Sequence, residues 1–235
     1  MRAMALTPEL IARIHRDEPE VGPLPGTTPM TDADFAAGVA WLMGGLPADD
    51  DLHVFAYGSL IWRPACEHED QTRARLTGWH RSFCFRVPRF RGTPDQPGLM
   101  LALDRGGSCI GVVQRHARAR AADRLERVLR REMTIRETPN QPRWVTVTTA
   151  DGARRRAIAF AADRRSFLYC GHQPAETTVA VLANAIGHVG SCAEYLMKTV
   201  TQLESLGIHD PYLWRLQDQV AARIMAETEA ERGEP

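Results

Sequence analysis

The order of secondary-structure signals constrains this chain most. Short strand-like segments crowd the first half from Leu52 onward, and amphipathic helical segments fill the last third. Strands first and helices after is an α+β order, whereas a doubly wound sheet alternates the two. Leu52–Tyr57 reads as a buried strand, followed by short strands at Arg73–Trp79, Phe83–Val87, Leu99–Asp104 and Cys109–His116. Gly106-Gly107 is expected to turn the chain between the last two. A helix follows over about Ala119–Glu132, with Ala122, Leu125, Val128 and Leu129 on one face and Glu126 four residues before Arg130. Trp144–Thr149 and Arg156–Ala161 form a hairpin around Asp151-Gly152. Helices are then expected at Thr177–Ile186, from a Ser191 cap to about Leu206, and from Asp210-Pro211 onward.

Residues 1–50 differ in character and read as an N-terminal extension to a domain over 51–235. Thr7-Pro8-Glu9 starts a short helix with Leu10, Ile11 and Ile14 on its apolar face. Thr31 caps a second helix that ends at Gly44-Gly45.

Composition removes several function classes. Lys plus Arg and Asp plus Glu both total 29, so the formal charge is zero and no nucleic-acid partner is expected. No apolar run reaches the length of a membrane span. The start of the chain carries Arg13, His15, Arg16, Asp17 and Glu18, unlike a secretory leader. The five cysteines (Cys66, Cys84, Cys109, Cys170, Cys192) are odd in number and form no CxxC pair. Reduced thiols in a cytoplasm are therefore expected. The eight histidines show no ligand spacing, so neither metal nor cofactor is expected. A monomer or weak homo-oligomer needs no special surface.

Four features can carry chemistry. Tyr57-Gly58-Ser59-Leu60 ends the strand Val54-Phe55-Ala56. A Gly-Ser step there can aim successive N–H groups at a carboxylate or an oxyanion, or can simply be a strand-ending turn. Glu132 closes a helix three residues after the core-facing Leu129. It is either a partly buried acid/base or a helix-end carboxylate paired with Arg130 or Arg131. Tyr195, in Glu194-Tyr195-Leu196, either offers its hydroxyl to a ligand or packs in the core. Pro97-Gly98 is either a close backbone approach or a loop corner.

Taken in order, Phe55-Ala56-Tyr57-Gly58-Ser59-Leu60-Ile61-Trp62, Arg81-Ser82-Phe83, Pro97-Gly98, Ile110-Gly111-Val112-Val113, Arg130-Arg131-Glu132-Met133 and Ser191 with Glu194-Tyr195-Leu196 resemble the ChaC branch of the γ-glutamylcyclotransferases. The resemblance runs from about His53 to about Ile224. It implies a small mixed β-barrel flanked by helices and a small-molecule substrate, glutathione or another γ-glutamyl compound. It implies that the Tyr57–Leu60 backbone holds the γ-glutamyl end and that Glu132 is the acid/base. The candidate binding set is then Val54, Phe55, Ala56, Tyr57, Gly58, Ser59, Leu60, Gly98 and Tyr195, with Arg81 as a partner for a substrate carboxylate. Many relatives carry Gly-Tyr shortly after the glutamate, where this chain has Met133-Thr134-Ile135-Arg136.

Two rivals belong to other classes. A thiol enzyme would use Cys66 with His68 or Cys170 with His172. A non-enzymatic binding module, tied to cation transport by the origin of the ChaC name, would leave the same pocket without turnover.

Overall fold

In a computed structural model, which describes residues 3–233, the chain runs as α1 (Pro8–Arg13), α2 (Asp32–Gly44), β1 (Leu52–Ala56), α3 (Ser59–Trp62), β2 (Asp70–Val87), β3 (Gly98–His116), a 3₁₀ turn (Arg118–Arg120), α4 (Ala121–Glu132), β4 (Asn140–Thr149), β5 (Arg154–Ala162), α5 (Ala175–Asn184), β6 (Ile186–Gly187), β7 (Gly190–Ser191), α6 (Cys192–Ser205) and α7 (Pro211–Arg232). These elements fall into two compact units. One comprises Pro25–Ser82 and Ala102–Tyr169. The other comprises the residues up to Leu24, Phe83–Leu101 and the chain from Cys170 onward.

The first unit is built on a closed barrel in the order β1-β3-β2-β4-β5. β1 runs antiparallel to β3 from Leu52↔His116 to Ala56↔Val112. β4 and β5 form a hairpin from Asn140↔Ala162 to Thr148↔Arg154. Parallel pairings of β5 with β1 (Val54↔Ile158) and with β3 (Leu103↔Ala161) close the ring. The hairpin turn forms as its residues require: Gly152 sits at φ +83° and its N–H donates to the Thr149 carbonyl. Inside, Phe55, Tyr57, Leu76, Leu103, Val113 and Val147 pack with Ala157, Ala159 and Ala161. Three alanines at alternate positions of β5 leave room for the two aromatic rings of the β1 end, whose centroids lie 6.5 Å apart.

The strand expectations need one correction. Arg73–Trp79 and Phe83–Val87 are parts of one strand, β2, and Leu99–Asp104 and Cys109–His116 are parts of one strand, β3. Gly106-Gly107 does not end a strand. Its two positive φ angles, +103° and +66°, kink β3, while Gly78 at φ +86° kinks β2 nearby, where the His80 ring meets the Gly106 carbonyl at 3.0 Å. Glycines of this kind let a barrel strand bend sharply without breaking its ladder.

α2 and α4 pack against each other in the same unit. Gly38 sits at this contact, where a Cβ would lie 3.2 Å from Leu129 Cδ1 and oblige that side chain to give by a few tenths of an ångström. At the edge of the contact the Arg130 guanidinium meets Asp32 at 2.6 Å and Glu126 at 2.7 Å and lies over the Phe35 ring. The segment before α2 straps the residues after α4. Met30 N donates to Thr134 O, Arg136 N donates to Thr28 O, and Pro29 bridges Ile135. The stretch Met133–Arg136, which departs from the Gly-Tyr pattern, is thus held by residues 28–30.

The second unit gathers α1, α5, α6 and α7, and all of these but α5 start at a side-chain cap. The side chains of Thr7 and Ser191 accept from the N–H groups of Leu10 and Glu194, and Asp210 accepts from Tyr212 and Leu213. Pro8 and Pro211 occupy first-turn positions, where the missing N–H is no loss. Thr31 of the barrel unit does the same for α2, in a reciprocal box with Asp34. The fully buried Gln217 accepts from Leu6 N at 2.9 Å and fixes the chain start against α7. Phe90 holds φ +72° so that its carbonyl can accept from Val189 N at 2.9 Å, and Gly187 lets the two backbones approach.

Candidate active site

The Tyr57–Leu60 segment leaves the barrel as a single helical turn rather than as an open strand-ending turn. Gly58 caps α3, Ile61 N donates to Gly58 O at 2.9 Å, and Arg63 N to Ser59 O at 2.8 Å. The first N–H groups of such a turn have no acceptor within it, because no carbonyl precedes them in the helix. Val54, Phe55 and Ala56 are fully buried in β1 and Tyr57 nearly so. The Phe55 and Tyr57 side chains belong to the barrel core, while Ser59 keeps a hydroxyl that Arg131 reaches.

Arg81 fixes the place where β1 gives way to α3. Its side chain is buried, its Nε donates to Tyr57 O at 2.6 Å, and Nη2 donates to Ile110 O on β3. The guanidinium thus ties the strand end that precedes Gly58 to its neighbour in the barrel. Gly111 works from the same side: a Cβ there would collide with the Ala56 carbonyl and come within 2.9 Å of the Phe55 ring.

Glu132 stands at the last position of α4, and its side chain is only 15% exposed. Leu125, Val128 and Leu129 bury the face that carries it inward. Two groups meet the carboxyl. Asn140 Nδ2, at the start of β4, donates to Oε2 at 2.9 Å, and Arg131 Nε lies 3.5 Å from Oε1. Arg131 in turn donates from Nη2 to Ser59 Oγ at 3.1 Å. One short chain of contacts therefore joins Ser59, Arg131, Glu132 and Asn140. Burial pushes the Glu132 carboxyl above the ordinary carboxylate range, and the partial opposition of Arg131 and Asn140 does not cancel it. A carboxyl held this way exchanges a proton nearer neutrality than a solvated one.

Gly98 and Tyr195 belong to the helical unit. Gly98 opens β3 against Arg91 and Cys192, where a Cβ would lie 2.6 Å from Cys192 Sγ. Tyr195 is buried on α6, edge-on to Phe83 at 6.4 Å and beneath the Arg91 guanidinium at 5.6 Å. Arg91 itself is held by Ser191 O and by Glu194 Oε2 at 2.8 Å.

The alternative thiol pairs have the wrong electrostatics for nucleophiles. Burial pushes both the Cys66 and the Cys170 thiol up, and Cys66 Sγ lies 3.8 Å from the Arg124 carbonyl. His68 faces His116, with ring centroids 6.3 Å apart. Among the described residues no three His, Cys, Asp or Glu side chains are grouped to hold a metal ion, and no helix is long and apolar enough to cross a membrane.

The sequence points to Glu132 and the Tyr57–Leu60 turn as candidates, and gives no sign of the contacts that Asn140 makes with Glu132 and Arg131 with Ser59. No spacing rule points to Asn140, which meets Glu132 only because the barrel register sets the first residue of β4 beside the end of α4.

Residues 52–223 match the family of ChaC-like proteins. The chain is 35% identical over 175 residues to a glutathione-specific γ-glutamylcyclotransferase of Escherichia coli K12, covering 74% of this chain and 75% of that protein. It is 28% identical over 187 residues to γ-glutamylcyclotransferase 2-3 of Arabidopsis thaliana, covering 76% of this chain and 92% of that one. Its fold is shared by the crystal structure of a γ-glutamyl cyclotransferase specific to glutathione from yeast, with a TM-score of 0.66 at 20% identity over 73% of this chain and 96% of that one. With the family match spanning the barrel, Glu132 and the first thirteen residues of the final helix, this chain belongs to the ChaC-like family.

Proposed function

We propose that this protein is a γ-glutamylcyclotransferase that cleaves glutathione to 5-oxoproline and Cys-Gly. The observation that carries the reading is the buried Glu132 carboxyl, joined through Arg131 to Ser59 in the helical turn that opens after Tyr57. The catalytic body is residues 51–235, with 1–50 as its extension, and the family match beginning at residue 52 supports that division.

The reaction asks for three things. The α-amine of the γ-glutamyl group must lose a proton before it attacks the γ-carbonyl carbon. A free α-amine has a pKa of about 8, so a weak base suffices. Once the ammonium has given one proton to solvent, Glu132 takes a second from the attacking nitrogen as the C–N bond of the lactam forms. The carbonyl oxygen gains negative charge, and the outward N–H groups of Gly58–Leu60 receive either it or the α-carboxylate. Glu132 then returns its proton to the departing Cys-Gly nitrogen as the original amide bond breaks. No water is consumed, and the proton count closes on one carboxyl.

Holding the chain folded so that nitrogen faces carbon supplies the rest. Intramolecular alignment of this kind can be worth roughly 7–11 kcal/mol. That explains why the site is anchored on barrel strands: Arg81 and Gly111 fix the backbone from which the turn departs.

Glutathione is the first substrate to test, beside γ-glutamyl dipeptides and γ-glutamylamines at matched concentration. Formation of 5-oxoproline from glutathione well above that from the others supports the assignment. Preferred turnover of a different γ-glutamyl compound would keep the chemistry and change the substrate. Saturable binding without product from any of them would point to a binding module.

A further inference from the structure

The partner that Glu132 meets at closest range is neutral. Asn140 Nδ2 donates to its Oε2 at 2.9 Å, while the cationic Arg131 stays at 3.5 Å and is drawn toward Ser59. The other end of the same amide, Asn140 Oδ1, is closed to solvent and accepts from no donor among the described residues. A buried carbonyl oxygen left so costs about 1–3 kcal/mol, which calls for a reason.

The chemistry of an acid/base supplies one. As a carboxylate, Glu132 only accepts hydrogen bonds; as a carboxylic acid, it must also donate one. Arg131 has donors alone and serves only the charged form. A primary amide has both a donor and an acceptor on one rigid plane, and a half turn about its last torsion exchanges them. The Asn140 backbone is fixed for this purpose. It pairs with Ala162 in the β4–β5 ladder, and its N–H donates to Thr138 Oγ1 at 3.3 Å.

We propose that Asn140 is a positioning residue that holds the Glu132 carboxyl in one place through both of its protonation states, its Nδ2 facing the carboxylate and its Oδ1 facing the acid. The proposal rests on the reading of Glu132 as the acid/base. The charged group facing the carboxyl is Arg131 on its own helix; from β4 the partner is Asn140, and from α3 Ser59 acts through Arg131.

Three variants of the full chain test it: Asn140→Leu, which keeps the volume and removes both amide groups, Asn140→Asp and Glu132→Gln. Two readouts are used. One is the pH profile of kcat with glutathione. The other, independent of turnover, is a carbon-13 titration of the Glu132 carboxyl, assigned by its loss in Glu132→Gln. A hydrogen bond to the carboxylate is stronger than one from the neutral acid, so losing both moves the titration upward.

In Asn140→Leu the expected result is kcat lower by about 10- to 100-fold, KM changed by less than about threefold, and the acid limb displaced to higher pH. Asn140→Asp should displace it further, because two adjacent carboxyls resist double ionisation. It also serves if the leucine variant does not fold. Coincidence of the Glu132 titration and of the acid limb in all folded Asn140 variants with wild type would overturn the proposal, whatever the effect on stability. Full activity in Glu132→Gln would instead overturn the acid/base reading on which it rests.

Discussion

Replacing Arg81 with methionine should weaken the fold and the site together. The guanidinium is buried, with Nε on Tyr57 O at 2.6 Å and Nη2 on Ile110 O. Methionine preserves most of the apolar stem but removes both hydrogen bonds from a charged donor, at about 1.5–3 kcal/mol each. Relief from burying a cation offsets part of this. The net loss should be about 2–4 kcal/mol. For a chain of this size each kcal/mol corresponds to about 2–4 °C in Tm, so a fall of roughly 5–15 °C is expected. Because Tyr57 O immediately precedes Gly58, the turn should also shift, and kcat should drop by about tenfold or more. Arg81→Lys retains the charge but lacks the fork that spans two carbonyls, and should fall between the two. Urea unfolding, a thermal scan and steady-state kinetics on the same preparations supply the numbers. A methionine variant within about 0.5 kcal/mol of wild type with unchanged kcat would refute this account of how the turn is anchored.

The other predictions concern separate groups. Glu132→Gln should abolish turnover yet stabilise the protein near pH 7: burial raises the folded-state pKa, so the wild-type side chain favours folding below the ordinary carboxylate pKa and loses that contribution as pH rises. Denaturation midpoints of both proteins at pH 4 and pH 7.5 check the sign, and the difference should shrink at the lower pH. Gly111→Ala should cost about 2 kcal/mol or more by driving a methyl group into the Ala56 carbonyl and the Phe55 ring, read from the urea midpoint. Leu129→Ala should cost about 2–5 kcal/mol, since Leu129 is fully buried and packs at Gly38. Under native conditions an alkylating reagent should label the half-buried Cys66 and Cys170 before Cys84, Cys109 and Cys192; the Cys192 thiol, pushed up to about 11 by burial, should resist longest. Cys66→Ser and Cys170→Ser should keep full turnover, which a thiol mechanism forbids.

The parts of this fold that were legible in the sequence are those set by neighbours along the chain. Thr7, Thr31, Ser191 and Asp210 cap helices because a side-chain oxygen needs to reach only two or three residues ahead. Asp151-Gly152 turns for the same local reason. Gly106-Gly107 shows where local reading stops. A glycine pair permits a turn and a kinked strand equally, and only the demand of a closed barrel chooses the kink. The closure itself rests on Val54↔Ile158 and Leu103↔Ala161, pairs separated by more than fifty residues, which no local period encodes. The site divides likewise. Glu132 was readable from its distance to Leu129 on one helix. Asn140 and Arg81 were not legible in their present roles, because their partners are brought to them by strand register.

The most direct test of the central claim is to incubate the purified protein with glutathione in water enriched in oxygen-18 and to analyse the products by mass spectrometry, with Glu132→Gln in parallel. Cyclisation predicts 5-oxoproline and Cys-Gly without label, and no product from the variant. Labelled glutamate would show water as the nucleophile and contradict the mechanism, while unlabelled 5-oxoproline formed equally well by Glu132→Gln would remove Glu132 from its centre.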